Sequence, residues 1–214
     1  MGSTKSPRES LKIATELSKK ALSIDNSLGD AHGLLGNIYV ITKQYEKGIP
    51  ELEKAVDLEP NGADAHAHLA MGLLFMDRSE EAILMSKKAI RLNPIAPSWY
   101  LHNLAATYRN IRNYEESLVW AEKAAKQEPE NILSHLVLCS IYSIMGRMEE
   151  ARVEANEVKN LNPKFSLIRF EKTLPYKNLE AKNRYIEALS KAGLEQGEVI
   201  GGENNPPLDF IYKY

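Results

Sequence analysis

Small and apolar positions return along this chain at fixed offsets, with polar residues filling the stretches between them. The set Gly36, Gly48, Leu52, Ala55 and Pro60 lies at offsets 0, 12, 16, 19 and 24. The same offsets select Ala70, Ala82, Ser86, Ala89 and Pro94, then Ala105, Ser117, Ala121, Ala124 and Pro129, then Cys139, Ala151, Ala155, Val158 and Pro163. The closing prolines are 34, 35 and 34 residues apart, which leaves room for two amphipathic helices in each period. Small residues at the first two offsets let those helices cross closely, because side chains set the distance between axes. Each proline lacks an N–H and biases the preceding residue away from helix, so it ends the second helix. One such unit cannot bury its apolar face alone, whereas stacked neighbours can. The pattern predicts an all-α solenoid with a concave face.

The units fall in a definite order. Residues 1–5 carry no structural signal and read as a tag or a disordered start. Ser6-Pro7-Arg8-Glu9 then has the composition of a helix start, with Ser as cap and Pro in the first turn. Ala14, Ser18, Ala21 and Asn26 repeat the last four offsets, so 6–28 reads as a half repeat whose first helix is missing, as in a piece of something longer. Full repeats follow at 29–62, 63–97, 98–131 and 132–165, the third carrying one extra residue within 94–99. The pattern degrades into a capping repeat at 166–194: a short helix ended by Leu174-Pro175, then a helix capped by Asn178 and stopped at Gly193. Residues 195–214 have linker composition and finish as an extended aromatic peptide.

Composition narrows the functions open to such a chain. With 214 residues, 26% of them charged, and a net charge of −2, it has no global basic field to hold nucleic acid or an anionic membrane. No apolar run nears the ~18 residues needed to span a bilayer. The single cysteine, Cys139, excludes an intramolecular disulfide and suits a reducing compartment, so cytoplasmic residence is the expectation. Cys139 fills a small-residue slot and reads as a buried, inert thiol. His32, His66 and His135 share one slot in three repeats, and such slots lie at least ~8–10 Å apart on stacked helices, too far to share one metal ion. Glu80-Glu81, Glu115-Glu116 and Glu149-Glu150 recur where second helices begin, as the helix dipole favours, and are not read as acid–base pairs. The expectation is a protein without enzymatic activity, cofactor or metal.

Leu35-Gly36 with Tyr39, Leu69-Ala70, Leu104-Ala105 with Tyr108, and Leu138-Cys139 with Tyr142 resemble the tetratricopeptide repeat. That resemblance implies a right-handed superhelical solenoid that binds proteins. Ser6-Pro7-Arg8-Glu9-Ser10, the stretch 94–101, Asn162-Pro163-Lys164-Phe165, Leu174-Pro175-Tyr176-Lys177 and the stretch 186–194 look more narrowly like the repeat regions of bacterial class III adenylate/guanylate cyclase-like signalling proteins. This implies a regulatory module that follows a catalytic or DNA-binding domain, and no cyclase activity carries over. Some members of the superfamily clamp chaperone C-terminal carboxylates. Here Gly33 and Met71 stand where that clamp has Lys and Asn, which argues against it.

The concave face supplies the candidate site: Asn37, Val40 and Ile41; Met71, Leu74 and Phe75; Trp99, His102, Arg109 and Asn110. Its chemistry suits an extended apolar peptide with a few polar contacts. The rival reading makes part of this stripe inter-repeat core. Self-association, with the groove filled by the chain's own or a neighbour's C-terminal tail, is the alternative function. RNA binding is a third, disfavoured by the lack of a basic stripe. In the tail, Pro206-Pro207 imposes an extended backbone, and Leu208, Phe210, Ile211, Tyr212 and Tyr214 are expected to dock on helical surface. Truncation after Leu194 is expected to raise peptide affinity if the tail docks in cis, and to dissociate dimers if it docks in trans. Calorimetry and light scattering that both register no change overturn the docking.

Overall fold

The computed structural model describes residues 7–194, and these form eleven helices joined by turns, with no strand. Helix α1 (Pro7–Ile24) packs on α2 (Gly29–Ile41). Four antiparallel hairpins follow: α2 with α3 (Tyr45–Leu58), α4 (Ala63–Phe75) with α5 (Ser79–Leu92), α6 (Ser98–Asn110) with α7 (Tyr114–Gln127), and α8 (Ile132–Ile144) with α9 (Met148–Leu161). A short α10 (Leu167–Thr173) and α11 (Leu179–Lys191) complete the stack. First helices touch one another along an inner row, and α1, α3, α5 and α7 each also pack on the next first helix. Inner helices are therefore apolar nearly all round, as in α8, where His135 to Ser143 are all buried. Outer helices bury a narrow seam: in α9 it is Ala151, Ala155 and Val158.

The helix crossing is as close as the small residues suggest. A methyl placed on Gly36 falls 2.9 Å from the Gly48 carbonyl, and one on Gly48 falls 2.9 Å from the Gly36 carbonyl. In the third repeat the same two positions are Ala105 and Ser117, and the Ser117 hydroxyl donates to the Ala105 carbonyl at 2.6 Å. The turn inside each hairpin is equally constant. Lys43, Asp77, Arg112 and Gly146 occupy one position in four repeats, and all have positive φ, from 61° to 75°. In the first repeat Gln44 N–H reaches Tyr39 O and Lys43 N–H reaches Val40 O, which closes the helix with a left-handed residue. Only the last repeat supplies the glycine that this conformation prefers.

Histidines staple the repeats together. His32 Nε2 contacts the Asn26 carbonyl at 3.1 Å and its Nδ1 meets Glu51 at 2.5 Å. His135 bridges the Pro129 carbonyl and Glu154, both at 2.7 Å. Each ring thus ties the closing residue of one unit to the second helix of the next. His66 keeps the carbonyl contact, to Pro60 at 3.0 Å, but Met85 stands where the Glu is, and His66 Nδ1 has no partner. Burial opposes a charge on His135, yet the Glu154 and Pro129 contacts outweigh it and raise its pKa. At the third junction, which carries the extra residue, Leu101 replaces the histidine. There the Gln127 amide donates to Ala96 O at 2.7 Å, and Ala96, Tyr100 and Leu101 form a separate apolar cluster with Ala67, Ala89 and Ala124.

Substituting Ala105→Leu is expected to cost about 1–3 kcal/mol through overpacking at the crossing. A denaturant midpoint equal to wild type shows that the helices do not meet there.

Candidate functional site

The concave face is lined by the inner row of helices, and the chain itself covers one half of it. Leu174-Pro175 ends α10, and the segment that follows lies across the inner row. Tyr45 Oη donates to Pro175 O at 2.6 Å, and Lys177 N–H donates to Phe75 O at 2.9 Å. Tyr176 meets the Phe75 ring edge-on with centroids 5.1 Å apart. Asn178, whose Oδ1 caps α11 by accepting from Ala181 N–H at 3.0 Å, donates from Nδ2 to Asp77 at 2.9 Å. Arg112 pairs with Glu180 at 2.8 Å, and Arg184 donates to Asn110 O at 2.9 Å. Asp77 and Arg112 are two of the left-handed turn residues, so one of these turns presents its side chain to the strap and another to the first turn of α11.

Arg109 is the centre of this arrangement. It is only 2% exposed, and no ion pair to it occurs among the described residues. Its guanidinium donates to Tyr176 Oη at 2.8 Å and to Ser140 Oγ at 3.3 Å, and it lies 3.6 Å from the centroid of the Tyr185 ring. A desolvated cation over an aromatic face gains ~2 kcal/mol, which helps offset the cost of burying the charge. Burial raises the pKa of the Tyr185 hydroxyl, against the downward pull of Arg109.

The ten groove residues divide accordingly. Val40, Ile41, Leu74, His102 and Arg109 are buried, with Val40 and Leu74 in the main core cluster, so these side chains offer no open surface. Phe75 and Asn110 are half-buried beneath the strap. Asn37, Met71 and Trp99 remain half-exposed on three successive inner helices. Trp99 stacks on His68 with centroids 5.0 Å apart and 20° between planes, and meets Tyr100 edge-on at 4.4 Å. Asp30 and Asp64 are exposed close by, and Asp64 accepts from the Tyr100 hydroxyl. Burial lowers the pKa of His68 against the pull of Asp64 and Asp30, and lowers that of His102 to about 4 against Glu128. Both rings are therefore neutral near pH 7. Burial also pushes the Cys139 thiol up to about 12, which leaves it unreactive.

Sequence reasoning gave no site role to His68, Tyr45, the strap residue Tyr176 or Arg184 of α11, and read Asn178 only as a helix cap. A signal for the strap existed in Leu174-Pro175, which forbids helix and forces an extended stretch between α10 and α11. Leu208, Phe210, Ile211, Tyr212 and Tyr214 lie outside the described residues.

Stacked hairpins with a closely packed crossing and a concave inner row define a tetratricopeptide-repeat solenoid. The tetratricopeptide repeat family model matches residues 29–61 and 100–131, the hairpins α2–α3 and α6–α7. The chain is 29% identical over 143 residues to Protein STIP1 homolog of Dictyostelium discoideum, spanning 66% of this chain and 25% of that protein. It thus spans about a quarter of the length of that curated relative. Among solved structures it resembles PilW, described as a widely conserved type IV pilus biogenesis factor, with TM-score 0.68, 17% identity and 86% of each chain covered. It also resembles YrrB, described as a TPR protein with an unusual peptide-binding site, with TM-score 0.56, 17% identity, and 83% of this chain and 91% of that one covered.

Replacing Arg109 with Met is expected to destabilise the protein by about 2–3 kcal/mol, because the Tyr176 hydroxyl loses its partner inside the fold. Hydrogen exchange at the Lys177 amide should accelerate with it, while exchange in α4 and α5 follows global stability alone. Wild-type protection at Lys177 in the variant shows that Arg109 does not hold the strap.

Proposed function

We propose that this chain is a non-enzymatic protein-interaction scaffold that takes an extended partner peptide on the uncovered half of its concave face. The observation that carries this reading is the set Asn37, Met71 and Trp99. They come from three successive inner helices, remain partly open to solvent, and mix apolar, aromatic and amide chemistry. Trp is the residue type most enriched among interface anchors, and a half-exposed Trp99 stacked on a neutral His68 is rigid at little entropic cost. The description of YrrB as a protein with a peptide-binding site supports the same use of this fold. No described helix is long and apolar enough to cross a membrane.

The alternative, self-association through the groove, draws support from a different fact: a segment of the chain already lies over half of the concave face. A finer reading, a regulatory module of a bacterial signalling protein in the cytoplasm, rests on the residues of the cyclase-like segments.

Selection of extended peptides from a displayed library provides a ligand for the test. Trp99→Ala and Met71→Glu should each weaken the selected peptide at least tenfold, about 1.4 kcal/mol, with unchanged circular dichroism. Wild-type affinity in both variants moves the binding surface elsewhere. Loss of binding on dilution into monomer favours the self-association reading.

A further inference from the structure

A histidine ring whose two nitrogens both face acceptors needs two protons to bond them both. His135 is placed this way. Its Nδ1 meets Glu154 and its Nε2 meets the Pro129 carbonyl, both at 2.7 Å. A carbonyl oxygen only accepts, and so does an ionised carboxylate. The neutral ring has one N–H and satisfies one of the two. The imidazolium satisfies both, and its bond to the carboxylate is charge-assisted. The ring is buried, so a contact that it gives up is not cheaply replaced by water. Burial works against the cation, but the bonds to Glu154 and Pro129 and the charges of Glu154 and Glu157 outweigh it. Both acids lie on α9. In the α7–α8 turn, Glu128 is bonded to Ser98 and Asn131. One turn along α8, the Cys139 thiol is neutral, since burial pushes it up to about 12.

The equivalent ring in the second repeat is the internal contrast. His66 Nε2 meets the Pro60 carbonyl at 3.0 Å, and its Nδ1 has no partner. Met85 stands at the register of Glu154, and Lys88 at that of Glu157. Burial lowers the pKa of His66, and Lys88 adds to this against the pull of the Pro60 carbonyl. One N–H suffices there, and the ring is neutral near pH 7. The same place in the repeat thus holds a cation in one unit and a neutral ring in another. Two side chains on the second helix make the difference.

We infer that His135 is a proton-locked joint between the third and fourth repeats: protonated, it ties the α7–α8 turn to α9 through both ring nitrogens, and deprotonated, it releases one of the two ties. The joint reaches the concave face. Helix α8 receives Arg109 at Ser140 and packs against α11, so it is the helix on which the cover of the groove rests. The direction follows from the raised pKa of His135. Its contribution to stability is complete below the ordinary histidine value of about 6.5, and is lost as pH rises through the folded value. At His66 the direction is opposite: the neutral ring is the folded form, so stability is lost as pH falls below about 6.5 through the folded value. The second repeat therefore has no such lock. The joint stands on α8 and α9 and does not depend on the concave-face reading.

Nitrogen NMR of the imidazole rings in the full chain, followed from about pH 5 to about pH 9, tests it. His135 should carry protons on both nitrogens at about pH 6.5 and titrate above the histidines of the urea-unfolded chain. Exchange of the α8 amides, corrected for its intrinsic rate, should quicken as His135 loses its proton. Glu154→Gln keeps the shape of the partner without its charge. It should lower the proton affinity of His135 about tenfold, one pKa unit, and remove the extra pH dependence of α8 exchange. Met85→Glu gives His66 the carboxylate it lacks. It should raise the proton affinity of His66 about tenfold and lift the denaturant midpoint more at about pH 6 than at about pH 9. The wild-type titration and Met85→Glu decide the matter even if Glu154→Gln does not fold. His135 titrating at or below the unfolded value overturns the inference. So does a titration that Glu154→Gln leaves in place, α8 exchange indifferent to the charge on His135, or a His66 that Met85→Glu does not shift.

Discussion

Two backbones pass within contact distance of each other at Gly36 and Gly48, and the same approach recurs through Ala105 and Ser117. The rest of the molecule depends on that crossing. It fixes how closely each second helix sits behind its first, and hence how the first helices line up along the inner row. A larger residue at either position pushes the pair apart and propagates along the stack, because packed interiors have little free volume to absorb the change. The constant left-handed turn at Lys43, Asp77, Arg112 and Gly146 follows from the same geometry, since two helices this close need an abrupt reversal between them.

The inner row creates a concavity, and concavities leave apolar surface exposed unless something lies in them. Here the linker between α10 and α11 lies over the half bounded by Tyr45, Phe75 and Arg109. Buried guanidinium groups ordinarily pair with carboxylates. Arg109 is held by two hydroxyls and an aromatic face, so its charge stays formally uncompensated within the site. A neutral partner set of this kind orients the strap by direction of hydrogen bonds more than by charge. On the other half, neutral His68 and stacked Trp99 present a rigid platform with no strap upon it.

Variation among the junctions shows how repeats diverge without losing their frame. The His-to-carbonyl staple occurs at three of them, and its carboxylate arm at two. Where one arm is lost, at Met85, the ring nitrogen His66 Nδ1 is left unpartnered and burial lowers its pKa. Where the staple is absent, the inserted loop compensates with Gln127 and an alanine-rich cluster of its own. The helix pairs themselves tolerate all three solutions because the small-residue crossing, not the staple, sets their spacing.

The repeat period, the small slots and the closing prolines were legible from residues alone because each encodes a local steric rule: a close approach, a missing donor, a preferred dihedral. Asn178 and Gly193 were legible for the same reason, one as a helix cap and the other as a left-handed stop. The groove was legible only as a list of positions. Period assigns Val40, Leu74 and Arg109 to the inner row, but cannot say whether the row faces water, a neighbour or the chain's own return. That was decided by contacts between residues far apart in sequence, Tyr45 with Pro175 and Arg109 with Tyr176. No spacing rule links such pairs, because their meeting depends on the accumulated curvature of the whole stack.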